Sequence, residues 1–453
     1  MNKIESATLV GVKSSIGYSL IFKIFSVIFS LLAARFLGLA SFGEIAVSQQ
    51  LYISMSTFLM KEAYRREAQR RGLPQQLALE SGFISVSISI ILSLFWVFYL
   101  NAALIDIVAL NIAIALEAHS ESFLYARLQQ LDFACRAKAE TVSNFSRSIS
   151  FGLFVFLGYE TLSFGLSQIV FSLVWWFILR TDLGTENRSI YNLALIRDPA
   201  LKQAILLAGQ KLVMSEAEKI VLMSVFKVET WGAYGLVTNF GSLILRTFFA
   251  PIEDVAFSAF SRGDTKSSSL LLFIQSTIGL LAACYGPPTA DVILSTLYGQ
   301  ARATEQGLVL LTQAYCILIA LFSVNGITES FFFATATQDD MSKALKFQLL
   351  TALTQTSVSV LLSPIGPLAL LISNAIGMIM RILFCWRFKE LHIQGWKKAF
   401  SFIGFGCLSA WSIVWLGFQG LTKFGLIALT ALLSSLPALY VIYREMGYKS
   451  KYI

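Results

Sequence analysis

Continuous apolar runs of 18 or more residues follow one another along the chain, separated by short stretches where charge collects. A helix needs about 20 apolar residues to cross a bilayer core of about 30 Å. The runs are unbroken rather than alternating, which sets aside a β-barrel, whose strands alternate apolar and polar positions. Fourteen spans are predicted, at 14–36, 42–62, 79–100, 103–125, 139–158, 161–180, 205–227, 232–257, 268–288, 307–331, 345–363, 366–386, 399–417 and 424–443. Two of them, 205–227 and 345–363, are interrupted by polar residues. The pattern predicts an all-α polytopic membrane protein.

Composition agrees: 56% of the 453 residues are hydrophobic and 14% charged, where a soluble domain carries about a quarter charged residues. No cleavage site follows the first apolar run, so that helix is expected to serve as the targeting signal. A surplus of +8 would suggest nucleic acid in a soluble chain. Here its distribution points to the membrane instead, since Lys and Arg gather on the cytoplasmic side of membrane helices. With the N-terminus inside, 25 Lys and Arg fall in cytoplasmic segments and only Arg35, Lys227, Arg302 and Lys423 in the opposite loops. Both termini are therefore expected in the cytosol, and no nucleic-acid partner is expected.

The spans divide into two blocks of six. The first occupies 1–180, a polar cytoplasmic linker 181–204, the second block 205–390, and two added helices with a tail 391–453. "EAYRREAQRRG" (Glu62 to Gly72) ends the second span, and "EDVAFSAFSRG" (Glu253 to Gly263) ends the eighth, with the same Glu-to-Arg-Gly spacing. The two stretches fall at the corresponding helix of each block, which suggests distant repeats.

Six cations lie inside apolar spans: Lys23, Arg147, Lys211, Lys219, Arg246 and Arg381. A cation at mid-bilayer costs at least about 2.5–3.5 kcal/mol, so such residues face a wet cavity or a partner. Helical phase groups Ser19, Lys23, Ser26 and Ser30 on one stripe, Asn239, Ser242, Arg246 and Glu253 on another, and Asn374 with Arg381 on a third. Such stripes form a cationic pocket for an anionic headgroup, because ammonium and guanidinium groups pair with phosphate oxygens. The competing reading is internal ion pairing with Glu117, Glu121, Glu216, Glu218 and Glu329. Glu117 and Glu121, one turn apart, are also placed to carry a coupling proton.

Enzyme signatures are missing: no G-x-S-x-G, Walker loop, H-E-x-x-H or Cys/His grid occurs. "QDD" (Gln338 to Asp340) reads as a solvated helix start. The five cysteines have no metal or redox spacing. No enzyme activity, metal or cofactor is expected. A single chain is sufficient for the architecture, and the sequence leaves the oligomeric state open.

"FLMKEAYRRE" (Phe58 to Glu67), "FGSLILRTFFAPIEDVAF" (Phe240 to Phe257), "SVNGITESFFFA" (Ser323 to Ala334) and "NAIGMIMRI" (Asn374 to Ile382) resemble signature stretches of the Rft family of the eukaryotic endoplasmic reticulum. The resemblance runs from the first span to the twelfth. It implies the fold of the multidrug/oligosaccharidyl-lipid/polysaccharide exporters, with two six-helix lobes around a central cavity and two C-terminal helices. It also implies movement of dolichyl-pyrophosphate-linked mannose/N-acetylglucosamine oligosaccharide to the lumenal leaflet for N-glycosylation. A non-transporting factor of the same pathway, or a polysaccharide or drug exporter on that fold, are the alternatives. By motif, Lys23, Arg35, Lys61, Glu62, Arg65, Arg246, Glu253, Asn325, Glu329 and Arg381 match family polar positions. Lys23, Arg35, Lys211, Asn239, Arg246, Asn374 and Arg381 are thus expected to bind substrate, and Lys61, Glu62, Arg65, Glu253, Asn325 and Glu329 to form a gate or its support. The short middle linker and compact loops depart from the family. The ending "KSKYI", with Lys449 and Lys451, matches the cytosolic dibasic retrieval signal of reticulum membrane proteins.

Overall fold

In a computed structural model the described residues are 31, 34–65, 75–129, 132–180, 199–261, 268–303, 306–388, 396–417 and 420–450. Among them every regular element is helical and none is a strand. Six helices are long and apolar enough to cross a membrane, at Ala78–Phe98, Leu104–Arg127, Leu162–Arg180, Gly307–Thr335, Leu368–Arg387 and Thr422–Tyr440. The chain is a multi-pass helical membrane protein. Six helices, or seven with one bent pair, meet that measure among the described residues, where the sequence predicts fourteen spans along the whole chain.

The chain forms two compact units, Met1–Met223 and Ser224–Ile453. The first holds α1, a run of four contiguous stretches: Leu39–Gly43, a π-helical Glu44–Gln49, Gln50–Phe58 and a π-helical Leu59–Tyr64. It continues with α2 (Gln75–Phe98), α3 (Leu104–Gln129), α4 (Phe133–Phe156), α5 (Leu162–Arg180) and most of α6 (Pro199–Val225). Helix α3 packs against α2 and α5, and α4 lies along α5. Small residues allow the close crossings: Gly165 of α5 lies against Ala109 of α3, and Gly82 of α2 against Ala118. Around α3 a core of Leu51, Tyr52, Trp96, Ile107, Leu110 and Ile114 forms. Tyr52 is fully buried, and its hydroxyl lies 2.7 Å from the Ser89 carbonyl oxygen and 2.9 Å from Asn111 Oδ1, so its one proton has an acceptor within reach. That satisfies a group that lipid and core could not.

The second unit holds α7 (Val228–Ile244), which continues through a π-helical Leu245–Phe249 into Ala250–Ser261. Then come α8 (Ser268–Tyr285), α9 (Ala290–Tyr298), α10 (Gln306–Thr335), α11 (Gln338–Leu361), α12 (Leu368–Phe388), α13 (Trp396–Trp415) and α14 (Gly420–Ser450). The sequence places a span end near residue 288, but the chain there bends and continues. Pro287 and Pro288 follow Gly286 and remove two backbone donors, and the α8–α9 pair bends by 48°. The added helices brace this break: α13 and α14 pack on α8, and Lys423 of α14 bonds both oxygens of Asp291 in α9, at 2.9 and 3.1 Å. The "QDD" stretch opens α11 as a helix start, where Thr337 and Asp340 form a reciprocal capping box.

Candidate functional site

Both units bury polar networks where the sequence places its unusual charges. In the first unit, the π-helical Leu59–Tyr64 carries Lys61 and Glu62, with Arg65 at its C-terminal cap. A π-turn adds a residue to the helical turn and is found often at functional sites. Helix α3 presents Glu117 and Glu121, 3% and 0% exposed, one turn apart. Lys61 Nζ lies 2.8 Å from Glu117 Oε1. Arg65 grips Glu121 through two nitrogens, Nη2 and Nε, the latter 3.1 Å from Oε2. It also stands 3.8 Å from Glu117. Arg147 of α4 adds its charge to Glu117, bonds Gln168 at 3.3 Å and lies over the Phe171 ring. On α6, Glu216 accepts from Ser54 at 2.9 Å and pairs with Lys219 at 2.8 Å.

The second unit repeats the plan with different residues. Glu253 of α7 accepts from Gln275 of α8 at 2.8 Å. A Cβ at Gly326 of α10 would overlap the Glu253 carboxylate, so glycine is what lets α10 approach. One turn of α10 carries Asn325 and Glu329, spaced as Glu117 and Glu121 are on α3. The Asn325 amide reaches Glu329, and Glu329 faces Arg381 of α12 at 3.6 Å. That ion pair lines a small cavity walled by Phe332, Phe333, Phe347 and Phe384, with the last two stacked.

Other candidates fall elsewhere. Asn374 accepts from Gln355 at 3.2 Å and faces the Tyr234 hydroxyl at 3.5 Å. Asn239 bonds Tyr298. Arg35 is exposed. Lys23 and Lys451 lie outside the described residues; Lys211, Arg246 and Lys449 lie on described helices, but their side chains are outside the description. Among the described residues no three His, Cys, Asp or Glu could hold a metal ion. The sequence missed Gln275, Glu80 and the buried hydroxyl of Tyr125, which lie in predicted apolar spans, and that of Tyr64, which lies in the charged stretch ending the second span.

Solved structures share the fold. A lipid II flippase MurJ in an inward closed conformation superposes with a TM-score of 0.71, covering 96% of this chain and 99% of that one at 15% identity. An inward-facing multidrug resistance transporter of the MATE family, in the MOP superfamily, gives 0.54 over 80% and 94% at 12% identity. The chain therefore shares the fold of these two structures. The pattern of the family described as Rft protein matches residues 7–453, and the chain belongs to that family. A Dictyostelium discoideum relative, the Man(5)GlcNAc(2)-PP-dolichol translocation protein RFT1, is 24% identical over 74% of this chain and 76% of its own length. Its namesakes from Saccharomyces cerevisiae and Drosophila melanogaster are 30% and 32% identical over 43% and 44% of this chain. Those two matches span only 36% and 38% of the relatives' own length.

Proposed function

We propose that the chain moves a dolichyl-pyrophosphate-linked mannose/N-acetylglucosamine oligosaccharide from the cytosolic to the lumenal leaflet of the endoplasmic reticulum membrane, for protein N-glycosylation. The observation that carries this reading is membership of a family whose curated relatives are named for that translocation. The physical case is one of solvation. A pyrophosphate cannot enter hydrocarbon unaided, whereas fixed cations offset its lost hydration while the polyprenyl tail stays in lipid. Lys23, Lys211, Arg246 and Arg381 supply positive charge to a central cavity between two six-helix lobes, in a chain of fourteen spans. Arg35, Asn239 and Asn374 complete the polar lining. Lys61 and Arg65 stand at the mouth, where Glu62 and Glu253 hold equivalent places and act as the gate. Rocking of the lobes exposes the cavity to either side in turn. The protein makes and breaks no covalent bond. The chain resides in the reticulum membrane.

Cells depleted of their own Rft protein are expected to accumulate the lipid-linked precursor, and expression of this chain is expected to clear it. Unchanged accumulation, with the chain present in the reticulum membrane, would count against the assignment.

A further inference from the structure

One carboxyl group stands outside both networks. Glu80, near the start of α2, is 3% exposed. Neither of its oxygens has a partner among the described residues. The Tyr64 hydroxyl, 0% exposed, is likewise unpartnered, and that of Tyr125, 1% exposed, has only Ser81 within reach among the described residues. Tyr64 is near enough to Glu80 for the two to act on one another electrostatically. The surroundings are apolar: Ala63, Tyr64, Ala78, Tyr125 and Ala208 form one cluster, with Phe58, Leu59, Ile84 and Ile205 packed on it.

Among the described residues, the charged groups on the elements around this cluster are engaged elsewhere or exposed. From α1, Lys61 is held by Glu117 and Arg65 by Glu121. Glu62 has partners of its own. From α3, Glu117 and Glu121 are therefore neutralised, Arg127 bonds Asp132 at 3.0 Å, and Arg147 of α4 acts on Glu117. From α6, the contacts are Ile205 and Ala208, while Lys202 is exposed and the Lys211 side chain is outside the described residues. Glu117 and Glu121 each hold a cation, and Glu80 holds none among the described residues. An ionised carboxylate in such a place, without hydrogen bond or counter-charge, is strongly disfavoured.

We propose that Glu80 is a proton-binding site: it holds a proton in this conformation and releases it when water reaches the Tyr64–Tyr125 cluster. The ligand is a proton rather than a metal ion, because one carboxyl and two phenols among alanines offer too few oxygens for a cation shell. The site stands on burial and connectivity. Only the purpose of the proton, coupling to the movement of the lipid pyrophosphate, rests on the translocation reading above.

Infrared spectroscopy of the full chain in lipid tests the site without any transport. The wild type is expected to show a protonated-carboxyl carbonyl band at neutral pH that disappears on alkaline titration. Glu80→Gln removes that band, while Glu117→Gln and Glu121→Gln retain it. Glutamine mimics the neutral acid, so Glu80→Gln should unfold at the wild-type temperature. A band unaffected by Glu80→Gln, a band governed by sodium concentration rather than pH, or an unfolded Glu80→Gln protein overturns the proposal. In vesicles, a pH gradient is expected to change the rate of lipid-pyrophosphate movement several-fold for the wild type and not for Glu80→Gln. If neither protein moves the lipid, the translocation reading fails while the infrared result still decides the proton site.

Discussion

Arg65→Ala is expected to destabilise the protein by about 3–5 kcal/mol, the range for breaking a buried ion pair by removing one partner. Glu121 has no exposure, and Arg65 holds it through two nitrogens on a side chain only 16% exposed. Alanine leaves the carboxylate uncompensated in a medium where water cannot replace the lost donors. Lys61 cannot take over, since Glu117 holds it. The same loss is expected from Glu121→Ala. Replacing both with apolar residues, as in Arg65→Met with Glu121→Leu, should recover most of it, because the cost of an isolated charge then vanishes. Equilibrium denaturation of the wild type, Arg65→Met, Glu121→Leu and the double variant in mixed micelles closes a double-mutant cycle. Additive losses would mean that the two side chains do not act as a pair.

The second large effect concerns Arg381. Its partner Glu329 is a quarter exposed and 3.6 Å away, so the pair is looser than Arg65–Glu121. Arg381→Ala is therefore expected to leave folding nearly intact and to reduce complementation of a depleted strain. A charge-assisted hydrogen bond contributes about 1.5–3 kcal/mol, which corresponds to a loss of roughly tenfold to a hundredfold. Pairing with Arg246→Ala should abolish the activity. Arg381→Lys should rescue only partly, since an ammonium lacks the planar fork. Glu329→Gln separates the two roles open to Arg381. If the arginine serves an anion, releasing it from Glu329 leaves binding intact or strengthens it. If the arginine serves only to neutralise Glu329, then Glu329→Gln makes Arg381→Ala harmless. Full complementation by the Arg246/Arg381 double alanine variant would place the anion site elsewhere.

Hydropathy located what depends on hydropathy. The spans predicted at 79–100, 103–125, 161–180, 307–331, 366–386 and 424–443 overlie the six long apolar helices. Phase along a helix also showed that Glu117 and Glu121 share a face. It could not show that Lys61 and Arg65 meet them, because the partners lie 56 residues away in the pairs Lys61–Glu117 and Arg65–Glu121. Asn374 and Arg381 share a stripe of α12, yet they bond to different helices, since each reaches a different neighbour. The π-turns at Leu59–Tyr64 and Leu245–Phe249 leave no mark in composition, because an i→i+5 bond is made from the same residues as an i→i+4 bond. The break after Gly286 was visible as two prolines but read as a span end, because a local signal cannot tell a stop from a bend. Glu80, second residue of the span predicted at 79–100, was not singled out. Only packing by α1, α3 and α6 shows that it is enclosed.

The central claim is that this chain itself carries a lipid-linked pyrophosphate oligosaccharide across a bilayer. The most direct measurement reconstitutes the purified chain in liposomes and follows leaflet-resolved accessibility of a dolichyl-pyrophosphate oligosaccharide. Half of the probe is expected to start protected in the inner leaflet and to become accessible from outside at a rate that rises with protein density. The Arg246/Arg381 double alanine variant should leave it protected. Protection equal to that of protein-free liposomes, by a wild-type chain that is folded and clears precursor in cells, would contradict direct translocation and make the protein a supporting factor of the pathway.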